Sequence, residues 1–293
     1  MTYDLVIGDY AYSSWSLRGW LLFEKFNLPK SVTLLDFHSK ATVAEQLASF
    51  EPARTVPTIR TPEGAIVSES YAIAEELASR HPEAEIWPSD PKKRAIVRNL
   101  SAEMHAGFFA LRAACPMNLR TAFNWADPSD EVLTDLERLE TLWAWAKSEC
   151  LDGPWLCGEF SAVDAMYAPV AARLAGYNLP MSDLAKAYVD THLSDPAFRR
   201  WRALGLVQGA HLSRYDQPHA TLAWPGPKAL EATESDAPAV NPNCPYSGKP
   251  STHMLELNGV TYGFCNALCR DKTMADPEAW PAFMALVNET TSS

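Results

Sequence analysis

The sequence predicts an α/β domain over residues 1–80, an all-α domain over 88–215, a linker over 216–240, and a small Cys-rich α+β module over 241–290. Three observations predict it. Short apolar runs alternate with amphipathic segments through the first eighty residues. From about 92 to 205 the apolar residues recur at helical spacing, with no strand-like alternation. The last fifty residues hold three of the six cysteines around an Asn-Gly pair. With 293 residues, 47% of them apolar, the chain can bury more than one core. The formal charge of −11 argues against a nucleic-acid or anionic-membrane surface. No apolar run approaches a membrane span, and "MTYDLVIGDY" lacks the basic and apolar regions of a secretion signal, so the chain reads as cytoplasmic.

The elements follow in order. "YDLVIG" (3–8) is a short apolar run ending in glycine, as a buried strand does. From Ser14 to Phe26, Leu17, Trp20, Leu21, Leu22 and Phe26 fit a helix closed by "NLP". "SVTLLDF" (31–37) has the β-branched and apolar content of a second strand, and "TVAEQLASF" (42–50) that of a short helix. "VPTIRTPEGAIVS" (56–68) folds as two strands around a Pro-Glu-Gly turn, and "ESYAIAEELASR" (69–80) as an amphipathic helix. After the Pro-rich 81–91, helices are expected over about 92–115, 130–150 and 158–177, with two more in 183–205. Ser161 and Asp164 form a capping pair before an apolar run, which makes Asp164 a structural group rather than a catalytic acid. Met104, Phe108, Phe109 and Arg112 share helical spacing.

The order β-α-β-α-β-β-α is the thioredoxin-like arrangement, and here the residues become specific. "TVPTI" (55–59) followed by "SES" (68–70) resembles the glutathione-site signature of the cytosolic glutathione transferases. "YSSWSLR" (12–18) is similar to their serine-type catalytic loop, nearest to the zeta class, although Trp15 stands where that class has a cysteine. The resemblance covers roughly residues 1–215. It implies glutathione as co-substrate, a soft electrophile as second substrate, a substrate pocket between the two domains, and a homodimer. It also implies a cis Pro57 that frees the backbone of Val56 to pair with glutathione, and a helix start at Glu69 and Ser70 that receives the γ-glutamyl end. Helix N-termini attract anions on physical grounds alone, and Glu69 can pair with an amino group.

Glutathione reacts as its thiolate, and a thiol at its ordinary pKa of about 8.5 is mostly protonated near neutrality. A hydroxyl donating to the sulfur favours the anion. Serine-type relatives place the activating serine four residues before an arginine, which matches Ser14 with Arg18; Ser13 is the second candidate, and Ser16 is expected only to cap.

In the tail, "KALEATESDAPAVNP" (228–242) reads as a flexible acidic linker, and Asn258-Gly259 as a hairpin turn. Cys244, Cys265 and Cys269 form a C-x20-C-x3-C pattern that resembles the small TRASH and YHS metal-binding modules. Three thiolates suit tetrahedral zinc, and so small a core gains from a metal staple. His253 is the favoured fourth ligand, ahead of Ser247, which occupies the second position of a would-be C-x2-C knuckle. In a reducing compartment such cysteines suggest metal or redox chemistry before disulfides, and the module is expected to fold apart from the glutathione site. The leading expectation is a glutathione transferase with an appended metal module. Its alternatives are a non-catalytic glutathione-binding protein whose tail senses metal or docks a partner, and a zeta-like glutathione-dependent isomerase.

Overall fold

The structure, a computed structural model, describes residues 2–150 and 153–291. The first domain runs β1 (Tyr3–Ile7), α1 (Ser14–Lys25), β2 (Lys30–Leu34), α2 (Val43–Gln46), β3 (Thr58–Arg60), β4 (Ile66–Ser68) and α3 (Ser70–Arg80). Its sheet order is β2-β1-β3-β4. β1 and β2 are parallel, with Leu5 opposite Val32, while β3 is antiparallel to both β1 and β4, with Ile59 opposite Leu5 and Val67. Leu5, Ile7 and Ile59 are buried under α1 and α3, so the apolar runs that marked the strands are the ones that bury. This is the thioredoxin-like arrangement that the element order predicts.

The second domain comprises α4 (Pro91–Ala106), α5 (Phe109–Ala114), α6 (Asp130–Glu149), α7 (Ala162–Gly176), α8 (Asp183–Ser194) and α9 (Pro196–Val207). α7 is buried along nearly its whole length and is its central helix. Asp164 is fully buried at its start, accepting from Ser161 N at 2.9 Å, Leu156 N at 3.2 Å and the Tyr188 hydroxyl at 2.8 Å. All of its partners are structural, as the capping pair implied.

Three differences from the sequence reading bear on function. The helix expected over 92–115 breaks at Gly107, whose backbone is extended, and restarts after Phe108 in the left-handed region. The break turns Arg112 toward the first domain, buries Met104 and Phe108, and leaves Phe109 67% exposed. Second, Cys150 and Cys157, on which the sequence reading made no pairing, are joined in a disulfide between α6 and α7; their Cα atoms lie 4.8 Å apart, within disulfide reach.

The third difference is the linker. Residues 216–240 contain two strands: β6 (Ala220–Leu222), which pairs with β5 (Ala122–Asn124), and β7 (Ala232–Ser235), which pairs with β8 (His253–Leu257). The acidic stretch is the edge strand of the tail sheet. Its polar side chains face solvent on an exposed edge, so composition resembled a linker while the backbone is paired. β8 and β9 (Val260–Phe264) form the expected hairpin, with Asn258 and Gly259 both at positive φ, and α10 (Ala267–Ala275) and α11 (Pro281–Thr291) cover one face.

The tail is docked rather than free. Arg199 of α9 makes a two-armed contact with Asp276 at 2.6 and 2.8 Å and reaches Glu278 at 3.1 Å, while Ala203 of α9 is part of the tail's own core. The other side of α9 meets the first domain: Trp201 packs on Tyr10 and Trp20 at 4.5 and 5.4 Å. A Cβ at Gly205 would lie 3.0 Å from the Ala11 backbone nitrogen, a contact so tight that the loop would have to give by a few tenths of an ångström.

Candidate functional site

The loop between β1 and α1 is organised by Asp9. Its carboxylate accepts from the backbone N–H groups of Ala11 and Tyr12 at 2.7 and 3.2 Å, and Ser13 N donates to its carbonyl at 2.8 Å. Ser13 caps α1, accepting from Ser16 N at 3.4 Å and donating to Ser16 Oγ at 2.7 Å; Ser16 Oγ also accepts from Gly8 N at 2.8 Å. The hydroxyls of Ser13 and Ser16 are therefore engaged in holding strand, loop and helix together. Ser14, the first residue of α1, is half-buried and accepts from Arg173 Nη2 at 3.4 Å. Its hydroxyl meets no protein acceptor among the described residues.

Two adjoining cavities open here. The smaller, about 250 Å³, is lined by Trp15, Thr55, Val56, Pro57, Glu69 and Ser70. The larger, about 510 Å³, shares Trp15, Thr55 and Val56 and adds Ser13, Ser14, Arg112, Arg173 and Tyr215 among its walls. Clefts of about 430 and 630 Å³ elsewhere, beside Phe160 and beside Pro52, hold none of the residues expected to bind glutathione, activate it or hold a metal. The structure thus brings Ser13, Ser14, Val56, Pro57, Glu69 and Ser70 to one place.

Local reasons are visible for each. The Val56–Pro57 peptide is cis, and Gly19 of α1 lets the Pro57 ring approach, since a Cβ there would fall 2.6 Å from Pro57 Cβ. Glu69 sits at positive φ before α3 and makes no side-chain cap; its side chain is 55% exposed, with Oε2 at 3.6 Å from His105 Nε2. Ser70 is buried, and its hydroxyl donates to Met166 Sδ at 3.7 Å, so what this helix start offers an anion is its backbone N–H groups.

The electrostatics around Trp15 were not legible in the sequence. Arg18 lies 4.3 Å and Arg112 4.8 Å from the Trp15 ring, and the His105 ring meets its edge at 5.2 Å. Arg18 is 2% exposed, and its Nε and Nη1 find no protein partner among the described residues. Burial lowers it to about 9, with Arg173 and Arg112 pushing the same way; burial likewise lowers Arg173 to about 10 and, aided by Arg18, depresses His105. Both arginines remain charged at neutral pH. Sequence reasoning missed Asp9, Arg173 and Tyr215. A lone arginine inside the apolar "APVAARLAG" of α7 is the signal that points to Arg173.

In the tail, the sulfurs of Cys244, Cys265 and Cys269 lie within 4.8 Å of one another. Cys244 comes from the turn before β8, Cys265 from the end of β9, and Cys269 from the first turn of α10, whose cap Asn266 accepts from Cys269 N at 2.8 Å. His253 is outside this group, its Nδ1 placed 2.9 Å from Thr252 Oγ1, whereas the Ser247 hydroxyl donates to Cys265 Sγ at 3.2 Å. The alternation of β8 directs His253 elsewhere, which corrects the expected fourth ligand. Burial raises the Cys244 thiol, but the backbone N–H groups of Cys265, Tyr246 and Ser247 outweigh it and bring it down to about 7. Burial and the neighbouring thiols push Cys269 up to about 11.

No helix among the described residues is long and apolar enough to cross a membrane. Residues 12–80 match the family described as "Glutathione S-transferase, N-terminal domain". A probable maleylacetoacetate isomerase of Caenorhabditis elegans is 35% identical over 95 residues, 32% of this chain and 42% of that protein. Protein IN2-1 homolog A of Oryza sativa subsp. japonica is 26% identical over 160 residues, 55% of this chain and 61% of that protein. The chain thus spans less than two thirds of the length of these relatives. A glutathione transferase homolog from Burkholderia, solved with bound glutathione, superposes with a TM-score of 0.52 at 20% identity, covering 69% of this chain and 96% of that one. Residues 12–80 are therefore similar to a glutathione S-transferase N-terminal domain, and the chain has the glutathione transferase fold.

Proposed function

We propose that the protein is a glutathione transferase in which the Ser14 hydroxyl donates a hydrogen bond to the glutathione thiolate. The observation that carries this is the division of labour among the serines: Ser13 and Ser16 are occupied by the cap, while Ser14 faces the larger cavity at the positive end of α1. Val56 would pair with the cysteinyl backbone, and the α3 start with Glu69 would receive the γ-glutamyl end. The thiolate attacks a carbon bearing a leaving group; the C–S bond forms as the leaving group departs with its electron pair, and the thiol proton goes to solvent. Retention on glutathione-agarose together with turnover of a chloroaromatic electrophile tests the reading. Binding without turnover across several electrophile classes would favour a non-catalytic glutathione-binding protein. Light scattering tests the expected homodimer.

The similarity to a probable maleylacetoacetate isomerase favours one second reading. There the thiolate adds to a conjugated double bond, the resulting single bond rotates, and the thiolate is expelled unchanged. Against it stands Trp15 in the place of the zeta-class cysteine. Isomerisation of a cis enone diacid with no net consumption of glutathione would identify this activity.

For the tail, we propose a structural zinc held by Cys244, Cys265 and Cys269. The donor set fits: thiolates around tetrahedral zinc at about 2.3 Å lie about 3.8 Å apart, and these sulfurs approach that spacing, with Cys265 and Cys269 at 4.0 Å. The Ser247 hydroxyl is the nearest candidate for the remaining position, directly or through water. Metal analysis of the purified protein, with limited proteolysis before and after chelation, tests this. Substoichiometric zinc under reducing, metal-replete conditions, with a tail that stays protease-resistant, would leave one buried and two half-buried thiols.

A further inference from the structure

The tail holds a cation that has no carboxylate partner. Lys272 of α10 follows Cys269 by three residues and is half-buried, its ammonium 4.1 Å from the centre of the Tyr246 ring and 4.0 Å from that of Trp280. Both rings are tied to α10. The Trp280 indole N–H donates to the Lys272 carbonyl at 3.0 Å, and the Tyr246 hydroxyl meets that of Thr273, which donates to the Cys269 carbonyl at 2.7 Å. Lys272 joins no ion pair among the described residues. Tail acids are engaged elsewhere: Asp271 and Glu234 with Arg270, at 2.8 and 2.9 Å, and Asp276 and Glu278 with Arg199.

Aromatic faces attract an ammonium without neutralising it, and a charge drawn out of water needs a counter-charge. Sulfur is what the site offers. Burial works against the charge of Lys272, ionised Cys269, Cys244 and Cys265 favour it, and Arg200 opposes them. The surroundings of the sulfurs match this polarity. Cys265 Sγ accepts from the Ser247 hydroxyl at 3.2 Å and from the Asn266 amide at 3.4 Å, and Cys244 lies against the backbone N–H groups of Cys265, Tyr246 and Ser247. Donors on one side and an ammonium on the other are what anionic sulfur requires.

We propose that Lys272, held in the Tyr246–Trp280 sandwich, is the counter-charge of the three-sulfur site and sets how tightly that site takes a divalent ion. Three thiolates around such an ion carry one net negative charge, which one ammonium balances. The fourth ligand that fits this balance is therefore neutral, the Ser247 hydroxyl or a water. Lys272 acts through the sulfurs, as a positioning residue. What concerns the ion rests on the zinc reading of the tail; the pairing of Lys272 with the sulfurs does not.

The test uses the full-length, reduced protein and two readouts. Zinc affinity is measured by competition with a chromophoric chelator in wild type, Lys272→Met and Lys272→Arg. K272M keeps an apolar stem between the rings and removes the charge. It should weaken zinc about tenfold, the effect of one opposite charge at close range, and K272R should restore most of the loss. The second readout is metal-free: alkylation of Cys265 and Cys269 by iodoacetate and by iodoacetamide, followed by mass spectrometry. Both reagents consume the same thiolate, so their rate ratio reports local charge and not packing. In K272M the anionic reagent should fall about threefold relative to the neutral one. Equal zinc affinity in wild type and K272M, or an unchanged reagent ratio, would overturn the proposal. A wild type that takes up no zinc would refute the zinc reading, and the reagent ratio alone would then decide whether Lys272 serves the sulfurs. Should K272M fail to fold, the wild-type preference for iodoacetate must shrink with added salt, and a flat response would be equally fatal.

Discussion

Replacing Ser14 separates its role from that of Ser13, because the structure gives the two hydroxyls different partners. Ser14→Ala removes a donor aimed into the cavity and breaks only the 3.4 Å contact from Arg173. A hydrogen bond to a charged group contributes about 1.5–3 kcal/mol, equivalent to roughly one to two pKa units. Ser14 is half-buried, so the lower end applies, and the midpoint of the bound thiol should rise by about one unit. Ser13→Ala removes the α1 cap and the 2.7 Å bond to Ser16, which should cost about 1 kcal/mol of stability with little movement of the thiol midpoint. The assay is the pH dependence of kcat/KM with a chloroaromatic electrophile, alongside ultraviolet titration of the bound thiolate and thermal denaturation of both variants. S14A should move the pH profile and spare the melting temperature; S13A should do the reverse. An unmoved profile in S14A refutes the assignment, and a moved one in S13A transfers the role to Ser13.

Asp164 is fully buried, and burial raises it to about 6 despite the hydrogen bonds it accepts from Ser161, Leu156 and Tyr188. A carboxyl whose folded pKa lies above the unfolded value binds its proton more tightly when folded. Its contribution is therefore fully present below about pH 4 and lost as pH rises through about 6, and the stability difference between wild type and Asp164→Asn, from urea unfolding across that window, should show this slope. Arg199→Ala breaks a two-armed contact whose side chains are 14% and 9% exposed; a loss of about 2–3 kcal/mol in tail docking is expected, read as earlier proteolysis between α9 and β8. An unchanged cleavage map would show that the apolar contacts at Ala203 suffice. Because α9 also braces the loop that carries Ser13 and Ser14, R199A should weaken glutathione binding measurably, contrary to the independence expected of the tail. Glu69→Ala should cost glutathione affinity only about 0.2–1 kcal/mol, the range for exposed pairs, since its side chain is 55% exposed; a tenfold loss would show that ligand binding desolvates it.

The sequence by itself determined what local chemistry controls. The element order of the first domain follows from apolar runs and their breakers, and the Asn258-Gly259 turn from two residues that tolerate positive φ. The Ser161–Asp164 cap is a three-residue relation, and the residues proposed to hold glutathione lie in short motifs whose order along the chain implied a common cavity. Tertiary structure decided what depends on partners far away in the chain. Which serine hydroxyls are tied into the cap follows from Ser13 and Gly8 N meeting Ser16, while Ser14 meets Arg173, 159 residues away. The acidic stretch at 232–235 became a strand because β8 supplied its hydrogen bonds, and composition carries no record of a partner. One extended residue at Gly107 re-aimed Arg112, a change too small for periodicity to register. Likewise the pleat of β8 took His253 away from the cysteines. Arg18 of α1 and Arg112 of α5 meet the Trp15 ring, and the charge of Arg173 from α7 acts on Arg18. Like charges gather there only because three helices packed for other reasons converge, and no single segment shows it.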